Sequence, residues 1–213
     1  MTSVLAIACS PAGARSASGT AGDLLLERLR ARDPDIAVVR RDLGVTPPAF
    51  VDAGFAAAML VTEGERTAGQ TAALAESECL IAELEATDLL VLSTPMHNFT
   101  VPAVLKAWID QVLRVERTFR RTPAGKVGGL RDRPTYVVVA SGGRVIGDLA
   151  RQPDFLTPYL TAVLATLGIR TVRFLHLEGL GADPAKAARV AAETRAWLDA
   201  QLPLPRPTAL SDG

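Results

Sequence analysis

The feature that most constrains the fold of this chain is a repeated alternation of short apolar runs with longer segments of helical periodicity. Five runs have the length and the apolar, β-branched content of buried strands. Strands that are each followed by a helix require a parallel sheet with helices on both faces. The predicted strands are Val4–Cys9, Ile36–Val39, Leu89–Leu92, Tyr136–Ala140 and Thr171–Leu177.

Six segments between and after these strands carry apolar residues at helical spacing. The clearest is Val101–Val115, which places Trp108 and Ile109 on one apolar face. Glycines and a proline within Thr118–Leu130 indicate a hairpin or a long loop instead. The other predicted helices are Leu24–Leu29, Phe50–Leu60, Thr71–Ala86, Phe155–Leu167 and Pro184–Leu202.

Right-handed crossovers restrict how five such strands are ordered. Five strands favour the α/β order 2-1-3-4-5, the flavodoxin-like order, over a six-stranded dinucleotide fold. We expect one domain over residues 1–202 and a disordered tail over residues 203–213, because that tail contains three prolines.

Composition excludes several classes of protein. The 23 basic and 23 acidic residues give zero formal net charge, whereas nucleic-acid-binding proteins normally carry a basic excess. No apolar run reaches the 18 residues of a membrane span, and the first residues lack the basic start of a secretory signal. We therefore predict a cytoplasmic protein without nucleic-acid or membrane partners, and we expect Cys9 and Cys79 to be buried thiols.

Ligands of an open α/β sheet bind at the carboxyl ends of its strands, beside the switch in strand order. The loops after Cys9, Leu92 and Ala140 should therefore meet. The first of them is rich in hydroxyls and opens a helix, which offers free N–H groups to an anion. Ser16 and Ser18 can add hydroxyl donors there. An ordinary serine-capped surface loop is the alternative interpretation.

The nature of the anion follows from which glycine patterns are missing. Neither G-x-G-x-x-G nor G-x-x-x-x-G-K-[ST] is present in the sequence, which argues against a dinucleotide or a P-loop nucleotide. A phosphomonoester such as that of FMN fits the first loop better. The second loop, Thr94–Pro102, supplies backbone N–H groups, an amide and an apolar rim for a flat ring. The third, Ala140–Arg144, has two glycines that permit close backbone approach, or else form a simple tight turn.

Side chains that would perform chemistry themselves are scarce. No G-x-S-x-G, CxxC or paired carboxylate lies beside the three loops, so we expect a bound cofactor to supply the redox chemistry. His97 is either a ring contact or a solvent-exposed loop residue. The other histidine, His176, lies in the fifth predicted strand, so we predict no metal site.

The segment Ser93–Val112 reads STPMHNFTVPAVLKAWIDQV. It resembles the FMN-dependent NAD(P)H azoreductases and quinone reductases, which usually read P-M-[Y/H/W]-N-F and then L-K-x-[W/Y]-[I/F]-D. Arg117–Phe119, Leu156–Leu160 and Leu167–Ile169 add to the likeness, which covers roughly residues 3–200.

This resemblance implies a set of flavin contacts. The phosphate and ribityl end would be held by Ser10, Ser16, Ala17 and Ser18. The isoalloxazine would lie along Met96, His97, Asn98 and Phe99, with Ala140, Ser141, Gly142 and Gly143 at its other edge. The substrate pocket would include Phe119, Arg121 and Val163.

The resemblance also implies an activity. Members of the family are homodimers with flavin sites at the interface. They transfer a hydride from NADH or NADPH to the flavin N5 and then, in a ping-pong cycle, reduce a quinone or an azo compound. The choice between NADH and NADPH stays open.

Departures from the family pattern leave two alternatives. The third loop is usually S-R-G-G and here reads A-S-G-G, and some members carry a tyrosine at Arg121 and an aromatic residue at Val163. Beside the expected oxidoreductase, the departures leave room for a pathway-specific biosynthetic enzyme with a different reaction, and a flavin-binding carrier without a substrate of its own is the other alternative. These departures affect the expected acceptor more than the expected flavin.

Overall fold

The computed structural model describes residues 1–181 and 183–204 of the chain. Its main sheet has five parallel strands in the order β2-β1-β3-β6-β7, which confirms the predicted order 2-1-3-4-5 for the strands of this sheet. Most of the tail predicted at 203–213 lies outside the described residues. The strands of the sheet are β1 Ser3–Ala8, β2 Ala37–Asp42, β3 Leu89–Pro95, β6 Thr135–Ala140 and β7 Val172–Leu177. A separate antiparallel hairpin is formed by β4 Phe119–Thr122 and β5 Gly125–Gly128, which decides between the hairpin and the long loop that the sequence left open.

Helices cover both faces of the sheet because its central strand is apolar on both. On one side of β3, Leu90 and Leu92 pack with residues of α4, α5 and α6, and together they form the larger core cluster of the protein. On the other side, Leu89 and Val91 pack with α1 and α7. Side chains alternate between the two faces of a strand, so an uninterrupted apolar run requires cover on each. The helices are α1 Ala17–Arg32, α2 Ala53–Met59, α3 Ala68–Ala73, α4 Ala75–Glu85, α5 Ala103–Val112, α6 Leu156–Leu167 and α7 Lys186–Gln201.

The predicted apolar face of the clearest helix is confirmed in α5. Trp108, Ile109 and Val112 are each at most 2% exposed and belong to the larger core cluster. The helix ends earlier than predicted because the chain turns into the hairpin. There the Thr118 Oγ1 accepts from the Arg114 N–H at 3.0 Å, which satisfies a backbone group outside the helix.

The other predicted helices also differ from the observed ones in their bounds, and two of these differences have a clear local cause. The helix predicted at Thr71–Ala86 is wrong as a single unit, since it is interrupted at Leu74 between α3 and α4. The helix predicted from Phe50 begins instead at Ala53, where the Asp52 Oδ1 accepts from the Phe55 N–H at 2.7 Å and so caps α2.

The expectation of two buried thiols holds for one cysteine only. Cys9 is fully buried, and burial raises the pKa of its thiol. Cys79 is exposed on α4. The correction has a simple cause: the apolar face of α4 is formed by Leu80, Ile81 and Leu84, and Cys79 lies beside that face.

Candidate functional site

The three predicted loops lie side by side at the carboxyl edge of the sheet. The Cys9 N–H donates to the Ser93 carbonyl at 2.9 Å, which joins the first loop to β3. The Met96 N–H donates to the Ala140 carbonyl at 2.8 Å, which joins the second loop to the end of β6. Backbone hydrogen bonds between parallel neighbours therefore hold the three loops together.

Close packing of α1 on the sheet places its start at this edge. A Cβ on Gly22 would lie 2.1 Å from the Ser93 Oγ and 3.2 Å from the Ser93 Cβ, so a larger residue would displace the serine hydroxyl and crowd β3. On its other side the first loop lies close to Gly44, where a Cβ would be only 2.5 Å from the Ser10 carbonyl oxygen. The absence of a side chain at this position permits the close approach. Ser10 itself uses its Oγ to accept from the Ala12 N–H at 3.3 Å.

The start of α1 has the properties of an anion site. Ser16 caps the helix: its Oγ accepts from the Gly19 N–H and its carbonyl from the Thr20 N–H, both at 2.9 Å. The N–H groups of Ala17 and Ser18 have no acceptor within the described part of the chain. Ser16 and Ser18 are 6% and 1% exposed, and their Oγ atoms lie 3.2 Å apart. Free N–H groups, buried hydroxyls and the positive end of the helix dipole favour a bound anion.

The second loop contains a strained turn that sequence reasoning missed. His97 and Thr100 exchange backbone hydrogen bonds at 2.9 and 3.0 Å, which closes a turn around Asn98 and Phe99. These two residues have φ values of +47° and +71°. Asparagine tolerates the left-handed region, but phenylalanine rarely adopts it. Strain of this kind is concentrated at functional sites. Asn98 gives a weak sequence signal for the turn, since asparagine tolerates positive φ, but Phe99 gives none.

The turn presents polar and apolar groups to solvent. Asn98 and Phe99 are exposed, with Phe99 at 42%. His97 is also exposed, whereas Met96 is partly buried against the larger core cluster. The turn therefore exposes the Asn98 amide and the Phe99 ring, while Met96 anchors the start of the loop in the core.

The third loop offers backbone more than side chains. Ser141 is 4% exposed, and its Oγ donates to the Gly143 carbonyl at 2.8 Å, so this hydroxyl holds the loop. Gly142 is exposed, and its carbonyl accepts from the Gly181 N–H at 3.1 Å. Ala140, at the end of β6, is 9% exposed. Of the four predicted residues here, Gly142 is the most accessible to a ligand.

The three predicted substrate-pocket residues lie outside these loops, on α6 and on the hairpin. Val163 is 6% exposed in α6 and belongs to the core. Phe119 pairs with Gly128 in the hairpin, and a Cβ on Gly128 would lie 2.2 Å from the backbone N of Gly168, which ends α6. The second loop contacts the other end of α6, about 18 Å away at 1.5 Å per residue. Arg121 is exposed on the same hairpin. Their assignment to a substrate pocket stays a prediction.

A cavity of about 320 Å³ extends from the first loop along α1. It includes Ser10 and Ser16, and then continues between α1 and β2 past Asp23 and Arg40, which form an ion pair at 2.9 Å. Residues of the second and third loops do not line it. The residues predicted to contact a flat ring therefore lie outside this cavity.

Metal-ligating side chains do not gather at this edge. Across residues 1–181 and 183–204, no group of three or more His, Cys, Asp or Glu side chains could hold an ion. His176 lies in β7 as predicted, with its ring stacked on Phe174 at a centroid distance of 5.8 Å. Nor does any helix in that part of the chain have the length and apolar character to cross a bilayer.

Comparison with known proteins gives consistent matches along the chain. Residues 2–202 match the family described as having a flavodoxin-like fold. The FMN-dependent NADH:quinone oxidoreductase 5 of Burkholderia lata is 49% identical over 87% of this chain and 89% of its own. The FMN-dependent NADH:quinone oxidoreductase 2 of Cupriavidus pinatubonensis is 43% identical over 92% and 96%.

Solved structures agree on the fold. An azoreductase from Bacillus anthracis superposes with a TM-score of 0.81 at 23% identity, and covers 92% of this chain and 96% of its own. An FMN-dependent NADH-azoreductase from the same species, in complex with FMN, has a TM-score of 0.75 at 23% identity over 92% and 99%. The matched fold and the level of identity to the two oxidoreductases lead to one conclusion: this chain belongs to the flavodoxin-like family that contains the FMN-dependent NADH:quinone oxidoreductases.

Proposed function

We propose that this protein is an FMN-dependent NADH:quinone oxidoreductase that also reduces azo compounds. One observation carries the proposal: the open anion site at the start of α1 lies at the same sheet edge as the strained Asn98–Phe99 turn. The relatives at 49% and 43% identity, both named for this activity, support it. The two alternatives, a carrier and a pathway-specific enzyme, find no support among the relatives described above.

The residues at this edge fit FMN. A phosphomonoester matches the N–H groups of Ala17 and Ser18 and the hydroxyls of Ser16 and Ser18, since each hydrogen bond to a charged group contributes about 1.5–3 kcal/mol. Ser10 would complete the phosphate and ribityl end. The ring would lie along Met96–Phe99, with Ala140–Gly143 at its other edge, where Gly142 allows close backbone approach.

Bound FMN would supply the redox chemistry between NADH and the quinone, which no side chain of this site provides. The protein's part is to bind and orient. The Asn98 amide and the backbone of the third loop match the polar edges of the ring, and Met96 and Phe99 match its apolar faces. The Cys9 thiol takes no part, because burial raises its pKa and keeps it protonated.

We further propose that residues 1–202 act as one FMN-binding domain and that the protein is a cytoplasmic homodimer. Three exposed apolar side chains near the candidate site support a second copy as cover: Phe99 at 42%, Leu149 at 56% and Phe155 at 60%. A dimer would also supply the site with walls that the single chain lacks. Sedimentation analysis should give twice the chain mass, and a monomer at micromolar concentration would contradict this part of the proposal.

The visible spectrum of the purified protein, reconstituted with FMN, is the first test. We expect an oxidised-flavin band with one FMN per chain, and NADH-dependent turnover of a benzoquinone and of a simple azo dye. NADPH in place of NADH should give a slower rate. Failure to bind FMN would refute the assignment, and stoichiometric FMN without quinone turnover would refute the reaction.

A further inference from the structure

The Asn98–Phe99 turn is supported from outside its own loop. Two consecutive left-handed residues that are not glycine persist only where neighbouring structure holds them. Within the loop, His97 and Thr100 supply one pair of backbone hydrogen bonds. From outside, the N–H of Phe155 donates to the carbonyl of Phe99 at 3.1 Å.

Phe155 is placed for this bond by the residue before it. The Asp154 Oδ1 accepts from the N–H groups of Leu156 and Thr157, both at 2.9 Å. Asp154 thereby satisfies two of the N–H groups that the first turn of α6 leaves free. The Phe155 side chain provides no cap of its own. Three consecutive N–H groups thus have two different acceptors. The Phe155 N–H donates to the Phe99 carbonyl, and the next two N–H groups donate to the Asp154 carboxylate.

The start of α6, which carries the Phe155 N–H, is anchored in the core. Leu156 and Leu160 in α6 are 0% and 1% exposed, and both belong to the larger core cluster. The start of α6 is therefore fixed to the sheet, and Asp154 determines how the chain enters it. A change in that entry would move the Phe155 N–H directly.

We propose that Asp154 is a positioning residue for the flavin site: by capping α6 it aims the Phe155 N–H at the Phe99 carbonyl and holds the Asn98–Phe99 turn in its left-handed shape. This inference rests on the proposed function for its role in flavin binding. Its structural part, the link from Asp154 to the turn, stands on the described contacts alone.

The test compares Asp154→Ala with two partners. Asp154→Asn keeps a good capping oxygen, and should retain wild-type behaviour. Asp52→Ala is the matched control, because the Asp52 carboxylate also caps a helix, α2, through the Phe55 N–H, and this helix start lies outside the three loops. Asp154→Glu, which keeps the charge but misplaces the carboxylate, replaces Asp154→Ala if the alanine variant does not fold.

Amide hydrogen exchange of the flavin-free protein is the first readout. Asp154→Ala should accelerate exchange of the His97 and Thr100 N–H groups at least fivefold, whereas Asp52→Ala should leave them unchanged. FMN titration is the second readout, with about fivefold weaker binding expected for Asp154→Ala only, the factor that a typical cap corresponds to.

Unchanged exchange in Asp154→Ala, or equal weakening of FMN binding in Asp52→Ala, would overturn the inference. Failure of Asp154→Asn to restore both readouts would overturn it as well. If the wild-type protein binds no FMN, the proposed function fails, but the exchange experiment still decides the link to the turn.

Discussion

The two edges of the sheet are built in opposite ways. At the amino edge, side chains saturate the backbone: the Asp88 carboxylate accepts from the Ser3 N–H at 3.0 Å and from Arg131 at 2.8 Å. These contacts, with the Ser3 backbone bond first, lower the pKa of Asp88. Arg133, 3% exposed, donates to the Leu84 and Thr87 carbonyls. The amino edge is thus closed by its own residues.

At the carboxyl edge, by contrast, backbone N–H groups are left without an acceptor in the described part of the chain. The Ala17 and Ser18 N–H groups have no acceptor within residues 1–181 and 183–204, and the Asn98–Phe99 turn is strained. The difference indicates that stability is concentrated at one end of the strands and binding at the other. A site has to keep donors for its ligand, so its loops cannot satisfy one another completely.

The largest expected effect comes from the core that both edges share. Trp108→Ala should lower the free energy of unfolding by about 3–5 kcal/mol, because the indole is 2% exposed in the larger core cluster. Its Nε1 has no partner among the described residues, so the ring stabilises by packing alone. Urea denaturation measures the change, with Trp108→Phe as the milder control. A loss below about 1 kcal/mol would show that this face is not core.

The next effect is confined to the carboxyl edge. Ser18→Asp should weaken FMN binding about 100-fold, since it replaces a hydroxyl donor with a charge of the same sign as the phosphate. Ser18→Ala removes the hydroxyl without adding charge, and should cost about tenfold. Fluorescence titration with FMN gives both values. Equal FMN affinities for the two variants would contradict the assignment of the phosphate to the start of α1.

Much of this comparison could be predicted from the sequence. Runs such as Leu89–Leu92 reveal buried strands, and their number and order bring the three loops to one edge. Hydroxyls before a helix are compatible with an anion site, and the convergence of the three loops at one edge favours that interpretation over an ordinary serine cap. These features depend on local periodicity and on rules of connection, which a single sequence contains.

Other features depend on tertiary contacts. The left-handed Phe99 carries no local signal, because its support comes from Phe155, which is 56 residues away in the chain. The break at Leu74 has neither glycine nor proline to announce it. Family resemblance assigned Phe119 and Val163 to a substrate pocket, but a resemblance carries no distances within one chain, so that assignment stays a prediction.

A smaller effect belongs to the amino edge. Asp132 accepts from the Arg170 and Thr171 N–H groups at 2.7 and 3.0 Å, and these bonds lower the pKa of its carboxyl to about 2. A depressed pKa stabilises the fold above the ordinary value near 4, and this contribution is lost as the pH falls from about 4 towards 2. Asp132→Asn should therefore flatten the fall in melting temperature over that interval and leave FMN affinity unchanged. An unaltered acid profile, or weakened FMN binding, would contradict the separation of the two edges.

The smallest effect tests whether strain alone marks a functional position. Glu116 has a φ of +59°, yet it lies outside the three loops, in the turn where its N–H donates to the Phe119 carbonyl at 2.7 Å. Glu116→Gly should stabilise the protein by about 0.5–1 kcal/mol, because glycine adopts this conformation without a Cβ penalty but loses more entropy on folding. Glu116→Ala keeps the Cβ and should gain nothing, and neither variant should change FMN affinity.

Asn98→Gly completes that comparison at the carboxyl edge. It relieves less strain than Glu116→Gly, since asparagine already tolerates the left-handed region, and it removes the amide expected at the ring. The Asn98 variant should therefore lose FMN affinity with little change in melting temperature, the reverse of the Glu116 pair. If instead both glycine variants behave alike, then positive φ does not separate binding from structure in this protein, and the open N–H groups at α1 remain the feature that distinguishes its two edges.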